Sequence, residues 1–246
     1  TAATAKVWAI NAYGTSAPSV ASASFTPALA QTAIIMTSSG YQVNTINIAT
    51  TGNGSTFGGA NNQKQAGAGA SSTRAVFGGG PSQSNTMSYY TFASASDHTD
   101  FGDLSTGRTG TGAGSSNTRC LFMGGNASGG TSEVVEYITI ANTGAASDFG
   151  DLSPPASEFC GTSNSVRALG VAGTASNGAK LNNIQYFTIA STGDSTDFGD
   201  RTVTGAQVGS AANKTRALMA ARDSPSNVVD YVTIASTGNA QDFGDL

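Results

Sequence analysis

One pattern of residues recurs five times along this chain, at nearly constant intervals. Each copy has a short segment of the form x-x-Thr/Asn-Ile/Phe-Ala, and a Phe-Gly pair begins 12 residues after its first position. The segments begin at Thr45, Tyr89, Tyr137, Tyr186 and Tyr231. A disordered or low-complexity chain would not keep two markers in register through five copies. The sequence therefore predicts a repeat architecture.

An arginine that opens a short apolar run is a third marker in four of the copies. These arginines are 45, 48 and 49 residues apart, at Arg74, Arg119, Arg167 and Arg216. In the first copy the matching run is Ala33–Met36, and it has no arginine before it. A unit of about 45 to 50 residues with several short strands has the size of one β-propeller blade.

Each unit is predicted to contain strands and no helix. The segment 134–140 mixes β-branched and aromatic residues between clusters of Gly, Ser, Thr and Asn, which is typical of a strand. No window keeps a helical period, and glycine is frequent throughout. We expect four strands per blade. Strand a is rich in small residues, such as 110–115 or 205–211; strand b begins at the arginine; strand c carries Tyr-x-Thr-Ile; and strand d carries Asp-Phe-Gly-Asp.

The number of blades follows from how the first unit is completed. Five b–c–d units are present, but only four a strands lie between them. A fifth a strand drawn from Ser22–Ala30 would give a ring of five blades. The alternative is a larger ring that includes sequence beyond Leu246. We expect an all-β fold, a propeller of four-stranded blades, with five as the favoured number.

The composition argues against several classes of protein. Charged residues make up 11% of the chain, and the formal net charge is −4. A protein that binds nucleic acid through phosphate contacts needs a basic patch, and a polybasic membrane-surface module needs one as well. No apolar run reaches the length of a membrane span. We therefore expect no nucleic-acid partner and no membrane span.

Length variation between the copies is concentrated in the connection between strands b and c. In a propeller this connection shares one face with the d–a connection, and binding residues on a rigid scaffold are often on such loops. We therefore predict a binding face on these loops. Its candidate residues are Pro81, Gln83, Asn85, Asn126, Ser128, Asn177, Lys180, Asp223 and Ser226.

Residues suited to catalysis or metal binding are scarce. The one histidine, His98, is predicted to lie in a solvated c–d turn, and Cys120 and Cys160 replace small residues and are expected to be free thiols. One histidine and two separated cysteines do not make a zinc or copper site, and a calcium site at Asp-Phe-Gly-Asp would have too few ligands. The variable loops lack the paired acids of a glycosidase, with Asp223 as their main carboxylate. We expect no enzyme activity and no cofactor.

An aspartate and an arginine recur together in a chain with few charges. We predict that each aspartate forms an ion pair with the arginine of the following blade. The predicted pairs are Asp103 with Arg119, Asp151 with Arg167, and Asp200 with Arg216.

The order of strand b, Gly-Gly, loop, aromatic strand and a later aromatic residue resembles the Kelch-type propeller repeat over about residues 28–246. The usual Kelch tryptophan is absent, and the Phe of Asp-Phe-Gly-Asp stands where an aromatic residue is expected. Residues 231–246 have the motif Tyr-x-Thr-Ile-Ala-Ser-Thr-Gly-Asn-Ala-x-Asp-Phe-Gly-Asp-Leu. This motif is similar to repeats in large structural proteins of marine tailed bacteriophages, notably the phages that infect cyanobacteria. That resemblance implies a virion appendage and assigns no ligand.

The first 27 residues differ from the repeats. Lys6–Ser19, with Asn-x-x-Gly-x-Ser-x-Pro after an apolar strand, resembles the end of a fibronectin type III domain. A whole domain of that kind needs about 100 residues. We therefore expect residues 1–27 to be a β-hairpin remnant of such a sandwich, and the chain to be a fragment of a longer polypeptide. The alternative is an N-terminal extension that packs on the propeller.

Taken together, these features favour a virion structural protein of a tailed bacteriophage, in a tail fibre or another appendage. Its expected partners are other virion proteins and a host surface glycan or receptor, with oligomerisation through parts outside this fragment. The alternative is a secreted or cell-surface bacterial adhesin with a carbohydrate-binding propeller. A glycan-active enzyme is disfavoured, because paired acids are missing from the variable loops.

Overall fold

The structure is a computed structural model that describes residues 10–11, 14–15, 32–36, 41–220 and 227–246. All regular secondary structure in these residues is β-strand. A short hairpin near the N-terminus pairs β1 (Ile10–Asn11) with β2 (Gly14–Thr15). The five larger sheets form the blades of a propeller, and the expected sandwich around the hairpin lies outside the described residues.

Five antiparallel sheets are arranged in a ring. Blade 1 contains β3 (Thr32–Met36), β4 (Gln42–Asn47) and β5 (Ser55–Gly59). Blade 2 contains β6 (Gly67–Ala70), β7 (Arg74–Gly78), β8 (Thr86–Thr91) and β9 (Thr99–Asp103). Blade 3 contains β10 (Gly112–Ser115), β11 (Arg119–Met123), β14 (Val134–Thr139) and β15 (Ser147–Asp151), with a small hairpin of β12 (Asn126–Ala127) and β13 (Gly130–Thr131) between β11 and β14.

The last two blades follow the same order. Blade 4 contains β16 (Cys160–Ser163), β17 (Arg167–Thr174), β18 (Lys180–Thr188) and β19 (Thr196–Asp200). Blade 5 contains β20 (Gly209–Ala212), β21 (Arg216–Ala220), β22 (Val228–Thr233) and β23 (Gln241–Asp245). The predicted five-bladed propeller and its a-b-c-d strand order are confirmed. Blade 1 shows strands b, c and d, and the segment 22–30 expected to supply its strand a lies outside the described residues.

A β-bulge in strand d explains the recurring Phe-Gly pair. In blade 3, Val135 pairs with Gly150 while Glu136 pairs with Asp148, so Phe149 is the extra residue of the bulge. The same shift of register occurs in the other four blades. Gly150 has a φ of 145°, a conformation that only glycine adopts without strain.

The next blade supplies a second reason for glycine at this position. A Cβ atom on Gly150 would lie 2.4 Å from the Gly193 carbonyl oxygen of blade 4. The Gly193 N–H donates to the Phe149 carbonyl at 2.7 Å, and the Ser195 N–H donates to the Asp151 carbonyl at 2.8 Å. The c–d turn of each following blade is thus hydrogen-bonded to the bulge of the blade before it, and the same contacts recur at Phe101 and Phe198.

The apolar core is divided between the blades. The described residues form four buried clusters, and each cluster takes its members from two neighbouring blades. Phe101, Phe149 and Phe198 of the bulges are each 2% exposed and belong to three of these clusters. Burial of such a side chain contributes about 1.5 to 3 kcal/mol, so the interfaces between blades carry much of the stability.

The a strands of blades 2 to 5 consist largely of small residues, as predicted, and neighbouring a strands approach closely. A Cβ atom on Gly161 would lie 2.2 Å from the Ala113 carbonyl oxygen. The Ser115 hydroxyl donates to the Ala70 carbonyl at 3.1 Å and accepts from the Ala70 N–H at 3.0 Å. The Ser163 hydroxyl makes the same two bonds to the backbone of Ser115. These hydroxyls link neighbouring blades next to the axis.

We expect the substitution Gly150→Ala to destabilise the protein strongly. The new Cβ atom would strain the backbone, which costs about 1 to 3 kcal/mol, and would also collide with the Gly193 carbonyl. Chemical denaturation followed by circular dichroism gives the loss in free energy of unfolding.

Gly144→Ala is the matched control for this prediction. Gly144 has a similar φ of 152°, but an added Cβ atom would meet nothing within 4 Å. The difference between the two variants therefore isolates the contact between blades. Equal losses in the two variants would contradict the close approach described above.

Candidate functional site

The candidate site is the axial cavity on the face that carries the b–c and d–a connections, here called the loop face. The cavity has a volume of about 620 Å³ and is lined by the first residues of the a strands and by the d–a connections before them. Cavities of about 300 to 1,000 Å³ are typical of small-ligand sites. The dimensions therefore suit a small ligand or the end of a larger one.

Four equivalent residues surround the opening of this cavity, and together they are called the axial mouth. Each lies two residues before a strand a and has a positive φ: Gln65 (63°), Gly110 (65°), Glu158 (53°) and Gln207 (52°). The Gly110 N–H donates to the Gln65 carbonyl at 2.9 Å, and the Gln207 N–H donates to the Glu158 carbonyl at 2.7 Å. Backbone hydrogen bonds thus join neighbouring blades around the opening.

Three of these four left-handed positions carry a long polar side chain rather than glycine. A left-handed conformation is unfavourable for Gln and Glu, and such strain is concentrated at functional sites in proteins. Gly110 shows that this backbone accepts glycine at the same place. The side chains of Gln65, Glu158 and Gln207 therefore stand at the mouth despite a backbone that favours glycine.

The polar groups near Glu158 form a small network on the loop face. Lys180 Nζ lies 3.9 Å from Glu158 Oε2, and both side chains are about two-fifths exposed. Lys180 also donates to the Thr174 hydroxyl at 3.1 Å. Across the cavity, the Thr109 hydroxyl donates to Gln65 Oε1 at 3.1 Å. The site therefore presents amide, hydroxyl and carboxylate groups with one nearby ammonium.

The structure separates most of the predicted binding residues from the cavity. Asn85, Asn126, Ser128 and Asn177 are exposed in the b–c connections, and Lys180 is exposed at the start of β18. Among them, Lys180 contacts the axial mouth, through Glu158. The cavity lining comes instead from the a strands and d–a connections.

The other predicted residues have different environments. Pro81 and Gln83 are half-buried. The Gln83 carbonyl packs against Gly107 of the d–a connection, and a Cβ atom on Gly107 would lie 1.9 Å from that carbonyl oxygen. Asp223 and Ser226 lie outside the described residues. In blade 4, part of the predicted loop is strand, because Thr174 pairs with Lys180.

In the part of the chain that the structure describes, two buried ion pairs hold the d–a connections, and neither was predicted from the sequence. Arg108 is fully buried, forms an ion pair with Glu136 of the next blade, and donates to the Gly124 carbonyl at 3.1 Å. Burial lowers the pKa of the Arg108 guanidinium, and Glu136 opposes that shift. The second Glu136 oxygen accepts from the Ser105 N–H at 2.8 Å.

The second pair lies between blades 4 and 5, with Asp230 at the position equivalent to Glu136 and Arg201 at an earlier position of its d–a connection than Arg108. Arg201 Nε lies 3.1 Å from Asp230 Oδ2, and the Thr202 hydroxyl donates to Asp230 Oδ1 at 2.6 Å. Burial lowers the pKa of Arg201, and Asp230 opposes the shift. In blade 4 the equivalent residue is Gln185, whose Oε1 accepts from the Ser153 N–H at 3.0 Å.

The predicted ion pairs between Asp and Arg are not formed, because the arginines have other partners. Arg119 stacks on the ring of Tyr137 in its own blade at 4.6 Å and donates to the Ala190 carbonyl of the next blade at 2.9 Å. Arg74, Arg167 and Arg216 stack in the same way on Tyr89, Tyr186 and Tyr231.

The aspartates lie at the other end of the blade. Asp103 ends strand d and pairs with Thr86 at the start of strand c, whereas Arg119 pairs with Thr139 at the end of strand c. The same register places Asp151 and Asp200 away from Arg167 and Arg216. The recurrence of opposite charges predicted ion pairs, but the strand directions place the aspartates and the arginines at opposite ends of the blades.

Cys120 and Cys160 are free thiols, as expected. Burial raises the pKa of Cys120 to about 12. Burial also raises the pKa of Cys160, and a hydrogen bond between its thiol and the Ser210 hydroxyl opposes that shift. No cluster of three or more metal-ligating side chains was found within the described ranges. The same residues contain no helix that could cross a membrane.

No protein-family model matches the sequence, and a search of curated proteins found no significant match.

We expect removal of either partner of the Arg108–Glu136 pair to be strongly destabilising. Arg108→Met or Glu136→Leu would leave a buried charge without a partner, at a cost of about 3 to 5 kcal/mol. The double variant should lose much less than the sum of the single losses, because it buries no charge. Urea denaturation of the four proteins measures this coupling.

Lys180→Met is the control, because it removes one partner of an exposed pair. Its expected effect is at most about 1 kcal/mol. Additive losses at Arg108 and Glu136 would show that the two side chains do not act together.

Proposed function

We propose that this chain is part of a virion structural protein of a tailed bacteriophage, in a tail fibre or another appendage, and that its loop face binds a host surface glycan or receptor or another virion subunit. The observation that carries the proposal is the axial mouth, where three strained backbone positions hold long polar side chains around a cavity of about 620 Å³. The resemblance of the repeats to marine phage structural proteins supports the virion setting.

The chemistry of the site favours a neutral, polyhydroxylated ligand. Its polar groups include two amides, the hydroxyls of Thr109, Thr111 and Thr174, and a carboxylate that already has an ammonium neighbour. Such groups can donate to and accept from sugar hydroxyls, and Phe159 adds apolar surface to the lining. A highly charged ligand would find little compensation in a chain with 11% charged residues.

The scaffold suits recognition because it fixes the loop face in place. Arg108, Arg201 and Gln185 attach the d–a connections to the blade that follows. An isolated β-bridge also pairs Thr109 with Asn126, which joins a d–a connection to a b–c connection. A face held in this way loses little conformational freedom when it binds a ligand.

A secreted or cell-surface adhesin is the alternative, and it would use the same face. The two settings differ in where the protein is found. Antibody labelling of purified phage particles would support the virion proposal, whereas labelling of the bacterial surface in uninfected cells would support the adhesin. We continue to expect no enzyme activity in either setting.

We expect the triple variant Gln65→Gly, Glu158→Gly, Gln207→Gly to lose about tenfold or more in binding to host cells or to a glycan array. Glycine suits the left-handed backbone at these positions, so the fold should be retained. Binding and thermal unfolding are measured on the same samples.

Lys214→Ala, in the a–b turn of blade 5 on the opposite face, is the control. It removes an exposed charge and should leave binding unchanged. If the triple variant binds host cells and glycans as the unaltered chain does, the axial mouth is not the recognition site.

A further inference from the structure

The contact between neighbouring blades is repeated from blade 1 to blade 5, but the described residues make no such contact with the outer face of blade 5. Phe101, Phe149 and Phe198 are each 2% exposed, whereas the equivalent Phe243 is 57% exposed. Phe243 sits in the same bulge of strand d as the other three. Its side chain is therefore positioned for a contact between blades that the described residues do not form.

The backbone of this bulge shows the same feature. Gly199 and Gly244 have φ values of 137° and 143°. A Cβ atom on Gly199 would lie 2.6 Å from the Gly238 carbonyl of the next blade, but one on Gly244 would meet nothing within 4 Å. Gly244 therefore has the backbone conformation that, in the other blades, accommodates the c–d turn of the following blade. No such turn contacts it among the described residues.

Arg216 is the third unmatched group on this face. Arg74, Arg119 and Arg167 each donate to carbonyls at the end of strand c in the following blade. Arg216 stacks on Tyr231 at 4.7 Å and is otherwise exposed. Its guanidinium is placed to donate to the same carbonyls of one more blade.

Blade 1 presents the complementary surface. Ile48 follows its strand c and is 67% exposed, whereas the equivalent Ile140 and Ile189 are each 1% exposed. In the next turn, Asn53 stands at the position of Asn239, whose Oδ1 accepts from the Asp200 N–H at 3.0 Å. Blade 1 therefore carries an apolar residue and a turn acceptor suited to a preceding blade.

The two open faces belong to blades that border one cavity. Ala212 of blade 5 and Thr32–Ile34 of blade 1 both line the central cavity near the a–b turns, which has a volume of about 380 Å³. Two complementary surfaces joined through one ring have a high effective concentration for each other. That argument favours the chain's own blade 1 as the partner over a second copy.

We propose that blade 5 and blade 1 close on each other as a clasp, in a state that completes the fifth inter-blade contact. In the closed clasp, the turn Ile48–Gly54 packs against the bulge at Phe243 and Gly244. Asn53 accepts from the Asp245 N–H, and Arg216 donates to the carbonyl of Ile48. The propeller thus has an open and a closed form that differ at one seam.

The test is a cysteine pair across the seam, Asn53→Cys with Asp245→Cys, treated with a short bifunctional maleimide at low protein concentration. The matched control is Asp200→Cys with Asn239→Cys, because these two positions already contact each other. The native thiols are poor targets, since burial raises the pKa of both Cys120 and Cys160.

We expect the seam pair to be cross-linked within one chain to a similar extent as the control pair, as seen by gel mobility and mass. Cross-linking between chains only would assign the open faces to a second copy and overturn the clasp. A seam pair that reacts no more than the single-cysteine variants would overturn it as well.

A second set of variants tests the contact itself. Phe243→Asp, placed in the cysteine-pair background, should slow cross-linking within the chain by about tenfold or more, because it puts a charge into the closed contact. Phe243 is largely exposed in the open form, so the variant should still fold. Val166→Asp, at a residue that is 58% exposed in the a–b turn of blade 4, is the control. Equal rates for the two variants would contradict the proposed contact.

Discussion

The close approach of each c–d turn to the bulge in the preceding blade is the contact on which the other features of the fold depend. The bulge requires a residue with a positive φ, and the incoming turn leaves no room for a side chain there. Glycine meets both conditions, and the phenylalanine before it fills the apolar space between the blades. One dipeptide therefore sets the twist of strand d, the spacing of the blades and the position of the core.

Packing of the blades face to face determines where buried polar groups can lie. Both faces of strand c are covered, so Val135 is buried against blade 4 and the next residue, Glu136, is buried on the opposite face. The second of these meets the d–a connection from the preceding blade, through Arg108 in one case and Thr202 in another. Buried charges are tolerated here since each has a partner, and the connections that they hold form the rim of the axial cavity.

The sequence was sufficient to predict the all-β propeller, its strand order and its small-residue inner strands, because each depends on residues that recur in every copy. It did not reveal the partners of Arg119, since spacing along the chain does not say at which end of a blade a side chain lies. The axial mouth was missed because Gln65, Gly110, Glu158 and Gln207 share a backbone conformation and not a residue type. The Arg108–Glu136 pair was missed because its two residues are 28 positions apart in different blades, and the arginine does not recur in the other copies.

The sharing of each apolar cluster between two blades has a consequence for how such proteins change over generations. The residues that join neighbours are the recurring ones, so a whole unit can be duplicated, deleted or exchanged and still find a matching surface on either side. The b–c connections are inherited with each unit but, unlike the d–a connections, contribute little to that fit. Recombination between repeats would therefore vary the b–c connections while leaving the contacts between blades intact, without a separate change in the scaffold.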